Sequence, residues 1–303
     1  MLQQKIHFRV ETPLFCGGYD PSLSEWRATS LKGVMRYWYR AIQPDTKKEK
    51  EIFGSTKKQS MIHLHVDRKR FNKSKNYQEF PNYFSFFLKN QKREYIKPGS
   101  KFTLRLLYHP EAASFQRDVL ISLWLMTTIG GLGARCRRGF GTLSVLRVEG
   151  GQLGTEIDLS LGRCSSIQNW AERVQDFLQQ CWRWYPPSHQ ITHPMVHPKL
   201  KMFVPESGSQ SWNVALKKAA TILKQFRKQN KKNTRILKVM GTAEERERYP
   251  SAAWLRLVRI QNRFYPVFFV LPSDLSPDLY QEFIQLWGEW LVNHHFEMSE
   301  FDQ

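Results

Sequence analysis

The chain has 303 residues and a formal charge of +19, from 46 Lys and Arg against 27 Asp and Glu. That length suits two domains of ordinary size with real cores, and so large a cationic surplus is costly in self-repulsion unless a polyanion neutralises it, nucleic acid being the commonest such partner. The longest apolar stretch, Val119 to Leu132, carries Ser122 and two threonines and is too short to span a bilayer, which argues against a membrane partner. The amino terminus, MLQQKIHFRV, lacks a cationic flank leading into an apolar core, so the expected location is the cytoplasm. Cys16, Cys136, Cys164 and Cys181 form no C-x-x-C pair, and neither a metal nor a cofactor is expected.

In chain order, Lys5 to Val10 alternates, with Ile6, Phe8 and Val10 on one face and Lys5, His7 and Arg9 on the other, which predicts a strand in a sheet covered on one side. Leu31 to Ile42 then places Leu31, Val34, Met35, Trp38 and Ile42 at helical spacing, with Thr29 or Ser30 as its cap. Met61 to Val66 and Lys101 to Tyr108 are two further alternating strands, Gln116 to Ile129 is a second helix, and Leu143 to Val148 a fourth strand. The order βαββαβ predicts a ferredoxin-like (RRM-like) α+β domain over residues 1–150. Its second helix is apolar nearly all round, so another domain or subunit is expected to cover it.

Residues 151–198, with Gly-Gly, Pro-Pro and two His-Pro steps around one helical piece from Ile167 to Trp184, read as a connector. Residues 199–303 follow as a second, degenerate ferredoxin-like domain: a strand at Leu200 to Val204, a helix from Ser211 to Gln229, a hairpin of Ala253 to Ile260 with Tyr265 to Leu271, and a helix from Pro277 to Asn293. The cationic stretches Arg68 to Lys75 and Lys224 to Lys238 read as solvated loops or fringe contacts to nucleic acid.

Two places carry the chemistry of anion binding. Arg27, Thr29, Ser30, Lys32 and Gly33 lie at the amino end of the first helix, where unsatisfied N–H groups and the positive dipole end favour phosphate. Lys32, Arg36 and Arg40, four apart, form a cationic row along it; the plain alternative is a solvated basic face. The second place is GGLGARCRRGFG, in which Gly130, Gly131, Gly133, Gly139 and Gly141 accompany Arg135, Arg137, Arg138 and Phe140. It lacks the Gly-Lys-Ser/Thr of a Walker A loop and does not run strand to helix as a dinucleotide fingerprint does. Because it follows a helix carboxyl end, its positive charge must come from the arginines, while the glycines free successive amides to face a phosphate. A glycine-rich turn with incidental arginines is the alternative.

TPLFCGGYDP, WRATSLKGVMRYWYRA and GGLGARCRRGFGTLSV together resemble the RAMP superfamily of CRISPR-associated proteins and, within it, the family of the first-numbered Cmr subunit of type III-B effector complexes. Arg246, Arg248, Pro250, SAAWLRLVRI and YPVFFVL resemble the second domain of that family, although this half has no glycine-rich loop of its own. The resemblance implies two ferredoxin-like domains, binding to guide RNA near its 3′ portion, to target RNA and to other RAMP subunits, and no catalytic centre. The alternative is a metal-independent RAMP endoribonuclease that processes guide precursors, for which His7, His63 and His65 are the candidate proton carriers. His189, His193 and His197 are four apart like metal ligands, but Pro194 and Pro198 break any helix through them.

Overall fold

In the computed structural model the alternation read from the sequence becomes two four-stranded antiparallel sheets; helices cover one side of the first, whereas in the second the adjacent Phe268 and Phe269 meet Trp287 and Trp170 from helices on opposite sides. Residues 2–67, 71–150, 157–161, 164–187, 191, 193–243, 248–299 and 301 are described. Arg68, His189 and Arg246 therefore lie outside the described residues, as do parts of the expected connector. The chain divides into two compact units, the first comprising Met1–Asn76, Leu88–Cys136 and Phe140–Arg163, the second Tyr77–Phe87, Arg137–Gly139 and Cys164–Gln303.

The first half runs β1 (Leu2–Val10), α1 (Ala28–Ile42), α2 (Thr46–Phe53), β2 (Ile62–Val66), β3 (Lys73–Ser74), α3 (Asn82–Asn90), β4 (Tyr95–Ile96), β5 (Lys101–Tyr108), α4 (Gln116–Thr128) and β6 (Leu143–Glu149). Its main sheet has the order β2-β5-β1-β6, all pairs antiparallel. Ile6, Phe8 and Val10 are buried, as their spacing requires, and so are Leu31, Met35 and Trp38 of α1. The helix α4 is buried from Asp118 to Thr128, and the carboxylate of Asp118 is met by Lys48 Nζ of α2 at 3.1 Å. The short α2 escapes a reading by periodicity because TKKEKEIF has only two apolar residues, Ile52 and Phe53; Asp45 starts it by accepting from the amides of Lys47 and Lys48.

The second half runs α5 (Ile167–Trp184), β7 (Lys201–Pro205), α6 (Trp212–Gln229), α7 (Thr234–Val239), β8 (Thr242–Ala243), β9 (Arg248–Tyr249), β10 (Ala253–Ile260), β11 (Arg263–Val270), α8 (Pro277–Val292) and β12 (Phe296–Ser299). Its sheet, β10-β11-β7-β12, repeats the strand order of the first one position for position. The fourth strand, β12, is absent from the sequence reading: FEMS is too short to show alternation, and only pairing with β7, Phe296 opposite Pro205, makes it a strand. The stretch from Lys224 to Lys238, read both as the end of a helix reaching Gln229 and as a cationic loop, is the last turn and a half of α6, a short turn and α7.

One boundary correction bears on function. The first helix begins at Ala28, not Leu31, with Arg27 as an extended N-cap residue making no side-chain capping bond. Thr29 and Ser30 therefore lie inside the first turn and do not cap it.

Candidate nucleic-acid interface

The sheet topology brings the two predicted sites to one place. Because β1 and β6 are antiparallel neighbours with Val10 opposite Leu143, the chain leaving β1 toward α1 runs beside the glycine-rich loop that feeds β6. The two are bonded along their length. Glu11 N donates to Thr142 O at 2.9 Å, Thr142 N to Thr12 Oγ1 at 3.0 Å, Gly141 N to Pro13 O at 3.0 Å and Ala134 N to Phe15 O at 2.8 Å. One residue further on, the buried Cys16 thiol lies against the Ser30 hydroxyl and the Arg27 main chain at the start of α1. Burial pushes that thiol up, opposed by those hydrogen bonds and by the charges of Arg27 and Arg93. Segment 12–16 thus joins the amino end of α1 to Ala134, Gly141 and Thr142.

The glycines are required by this close approach. At Gly133, φ is +84° and a Cβ would stand 2.4 Å from Phe15 O; at Gly141, φ is +64° and a Cβ would stand 1.8 Å from Leu132 O. Gly130 and Gly131 are buried, the former directly against the Trp38 indole of α1. Arg135, half-buried, has a positive φ of 62°, so the loop tip reverses there without a glycine.

Three expected RNA contacts have partners within the protein. Phe140 is 0 % exposed and packs edge-on against Phe15 with centroids 5.5 Å apart, so it is a core residue and cannot stack on a base. Arg137 and Arg138 belong with Gly139 to the second unit. Arg138 donates to Met240 O at 2.8 Å, Ala253 O at 3.3 Å and Ser251 Oγ at 3.4 Å, while Arg137 lies over the Trp254 ring at 4.6 Å. Their neighbour Gly139 is buried among Leu216, Leu255 and Leu257. Within the second unit, Leu255 N of β10 also donates to Arg137 O at 3.1 Å.

The cationic row on α1 is likewise divided. Arg36 Nη2 lies 2.7 Å and Arg40 Nε 3.0 Å from the carboxylate of Glu49, a buried residue of α2. Sequence reasoning missed this acceptor because nothing in TKKEKEIF marks one of its two glutamates as buried. Lys32 has no such partner among the described residues; burial, with the charge of Arg36 behind it, holds its ammonium below the usual lysine range. Gly33 is exposed, with open space where a side chain would stand. Arg27 and Thr29 are exposed, and the first turn contains no acidic residue to cancel its dipole. Arg93, distant in sequence, adds a cation here: its Nε donates to Pro21 O at 3.0 Å, and its terminal nitrogen lies beside Gly17.

Several charges on the outward face of the first sheet pair with one another. His7 lies 3.0 Å from Thr103 Oγ1 and 3.3 Å from Glu149, Arg147 also pairs with Glu149, and Asp67 receives Arg105 at 3.0 Å and His65 at 3.7 Å. Among the described residues no three His, Cys, Asp or Glu side chains gather as metal ligands, and no helix is long and apolar enough to cross a membrane.

Comparison with known proteins adds to this geometry. Residues 7–144 match the RAMP superfamily. The chain is 31 % identical over 170 residues to the CRISPR system Cmr subunit Cmr1-2 of Pyrococcus furiosus, covering 44 % of this chain and 90 % of the relative. It is 24 % identical to Cmr1-1 of the same organism over 91 % of this chain and 90 % of that one. Its fold is that of the crystal structure of apo Cmr1 from Pyrococcus furiosus, with a TM-score of 0.70 at 19 % identity, covering 99 % of this chain and 98 % of that one. A chain of the type III-B Cmr-beta complex bound to cognate target RNA matches with a TM-score of 0.66 at 13 % identity over 96 % of this chain and 99 % of that one.

Proposed function

The chain belongs to the Cmr1 family of the RAMP superfamily, and from that premise we propose that it is a non-catalytic RNA-binding subunit of a type III-B CRISPR effector complex. In this reading it sits in the cytoplasm with other RAMP subunits and holds the 3′ portion of the guide RNA and the paired target in antiviral defence. Both units are read as ferredoxin-like domains, supported by the shared β-α-β-β-α-β order and the common strand order of the two sheets.

The observation that carries the proposal is the meeting of the α1 amino end with the glycine-rich loop through residues 12–16. Phosphate approaching there meets the positive end of a helix with no acid in its first turn, together with Lys32, Arg27 and Arg135. The Cmr-beta assembly with which the fold agrees was solved with cognate target RNA, which supports RNA as the ligand class. The non-catalytic reading is supported by the histidines: His7 and His65 are each held beside a carboxylate on the outward sheet face, apart from the α1 and loop cluster.

The test is a filter-binding titration of the full chain with guide RNA across a salt series. Lys32→Gln with Arg135→Gln is expected to lower the salt slope by roughly 1.4, at about 0.7 per lost single-strand phosphate contact. An unchanged slope would overturn the site. Metal-free cleavage of guide precursor by the wild type, abolished by His7→Ala, would replace the reading with the endoribonuclease.

A further inference from the structure

From Ser207 to Ala243 the chain has nine Lys and Arg residues and no Asp or Glu, close to half of the net charge of +19. Folding places most of them on one surface of the second unit. In α6 the residues Ala215, Leu216, Ala219, Ile222, Leu223 and Phe226 are buried, which turns the opposite side outward. Lys217, Lys224 and Lys228, at spacings of seven and four, share that exposed side, with Lys218 at its flank. The row spans about 16 Å at the helical rise and continues into the exposed Lys231 and Lys232 of the following turn.

This surface differs from the cationic row of α1 in one respect that matters. There, buried Glu49 takes up Arg36 and Arg40; here, among the described residues, no carboxylate pairs with Lys217, Lys218, Lys224, Lys228, Lys231 or Lys232. Glu282 reaches the neighbouring turn, accepting from Asn233 Nδ2 at 3.3 Å. Arg227 is turned inward to Gly241 O at 3.2 Å. Unneutralised like charges on one helix face destabilise it. A protein partner is the poorer fit, because interface cores favour aromatic residues and Arg and are depleted of Lys; lysines are mobile point charges suited to phosphates without regard to sequence.

We infer that the exposed face of α6, continued through Lys231 and Lys232, is a second track for RNA backbone, independent of nucleotide sequence. The inference rests on the RNA-binding reading above but involves none of the same residues. Lys and Gln have similar helix propensities, so the triple variant Lys217→Gln, Lys224→Gln, Lys228→Gln keeps the fold. In the full chain its salt slope for single-stranded RNA is expected to fall by roughly 2, at about 0.7 per contact. The loss should be equal for unrelated sequences, and the triple Lys→Arg variant should restore binding. Parallel titrations with guide strand alone and with guide–target duplex identify which strand lies on the track. An unchanged slope in the triple variant, while Lys32→Gln with Arg135→Gln still lowers it, overturns the track and leaves the first site standing. No salt-dependent RNA binding by the wild type overturns both. Loss of co-assembly with purified RAMP subunits at an unchanged RNA slope makes the face a protein interface and also overturns the track.

Discussion

Arg138 separates a structural from a ligand-binding reading of the glycine-rich loop. Its guanidinium makes one short bond, 2.8 Å to Met240 O, and two long ones, 3.3 Å to Ala253 O and 3.4 Å to Ser251 Oγ. A charge-assisted bond of good geometry contributes about 1.5–3 kcal/mol, and the long pair together add less than that. Arg138→Ala also strips half-buried carbonyls of their donor, so the expected loss is about 3 kcal/mol. For 303 residues, at about 2.1 cal/mol/K per residue, that corresponds to a fall in Tm of roughly 5 °C. Arg138→Lys, which keeps the charge but not the planar fork, should recover less than half of the loss. Differential scanning fluorimetry of both variants reads this, and RNA titration of the folded variants should give the wild-type salt slope. A Tm within a degree or two of wild type, combined with a slope reduced by about 0.7, would refute the reasoning and return Arg138 to the RNA.

Two further outcomes follow from the geometry. Gly33→Ala adds a methyl group in open space on an exposed helix and should stabilise by about 0.5–1 kcal/mol while weakening RNA binding; unchanged affinity would remove Gly33 from the interface. In contrast, Gly141→Ala, whose Cβ would stand 1.8 Å from Leu132 O, should prevent accumulation of folded chain. Lys32 gives a pH signature. Its pKa lies below the ordinary 10.5, so between the two values the unfolded chain binds more protons and this group's contribution to stability rises with pH. Phosphate requires the charged ammonium, so RNA affinity should decline as pH climbs through the same window, and Lys32→Arg should abolish the decline. Equal pH profiles for wild type and Lys32→Arg would exclude Lys32 as a phosphate ligand.

What the sequence by itself determined are properties that local sterics and burial impose on consecutive residues. Alternation at Lys5 to Val10 and Lys101 to Tyr108 placed those strands, since side chains on a pleated sheet alternate between core and solvent. The glycine-rich loop was legible for the same kind of reason: positive φ, as at Gly133 and Gly141, is least costly for a residue without a Cβ. Only the tertiary structure decided what the long and buried side chains do. That Arg36 and Arg40 serve Glu49, that Arg138 serves carbonyls more than 100 residues away, and that Phe140 lies inside are choices between partners that no local pattern distinguishes. A guanidinium binds a phosphate, a carboxylate or a carbonyl through the same N–H groups, so its role is set by which acceptor the fold brings within reach. The fold also decided that the α1 amino end and the loop meet, because β1 and β6, at opposite ends of the first unit's sequence, became neighbours.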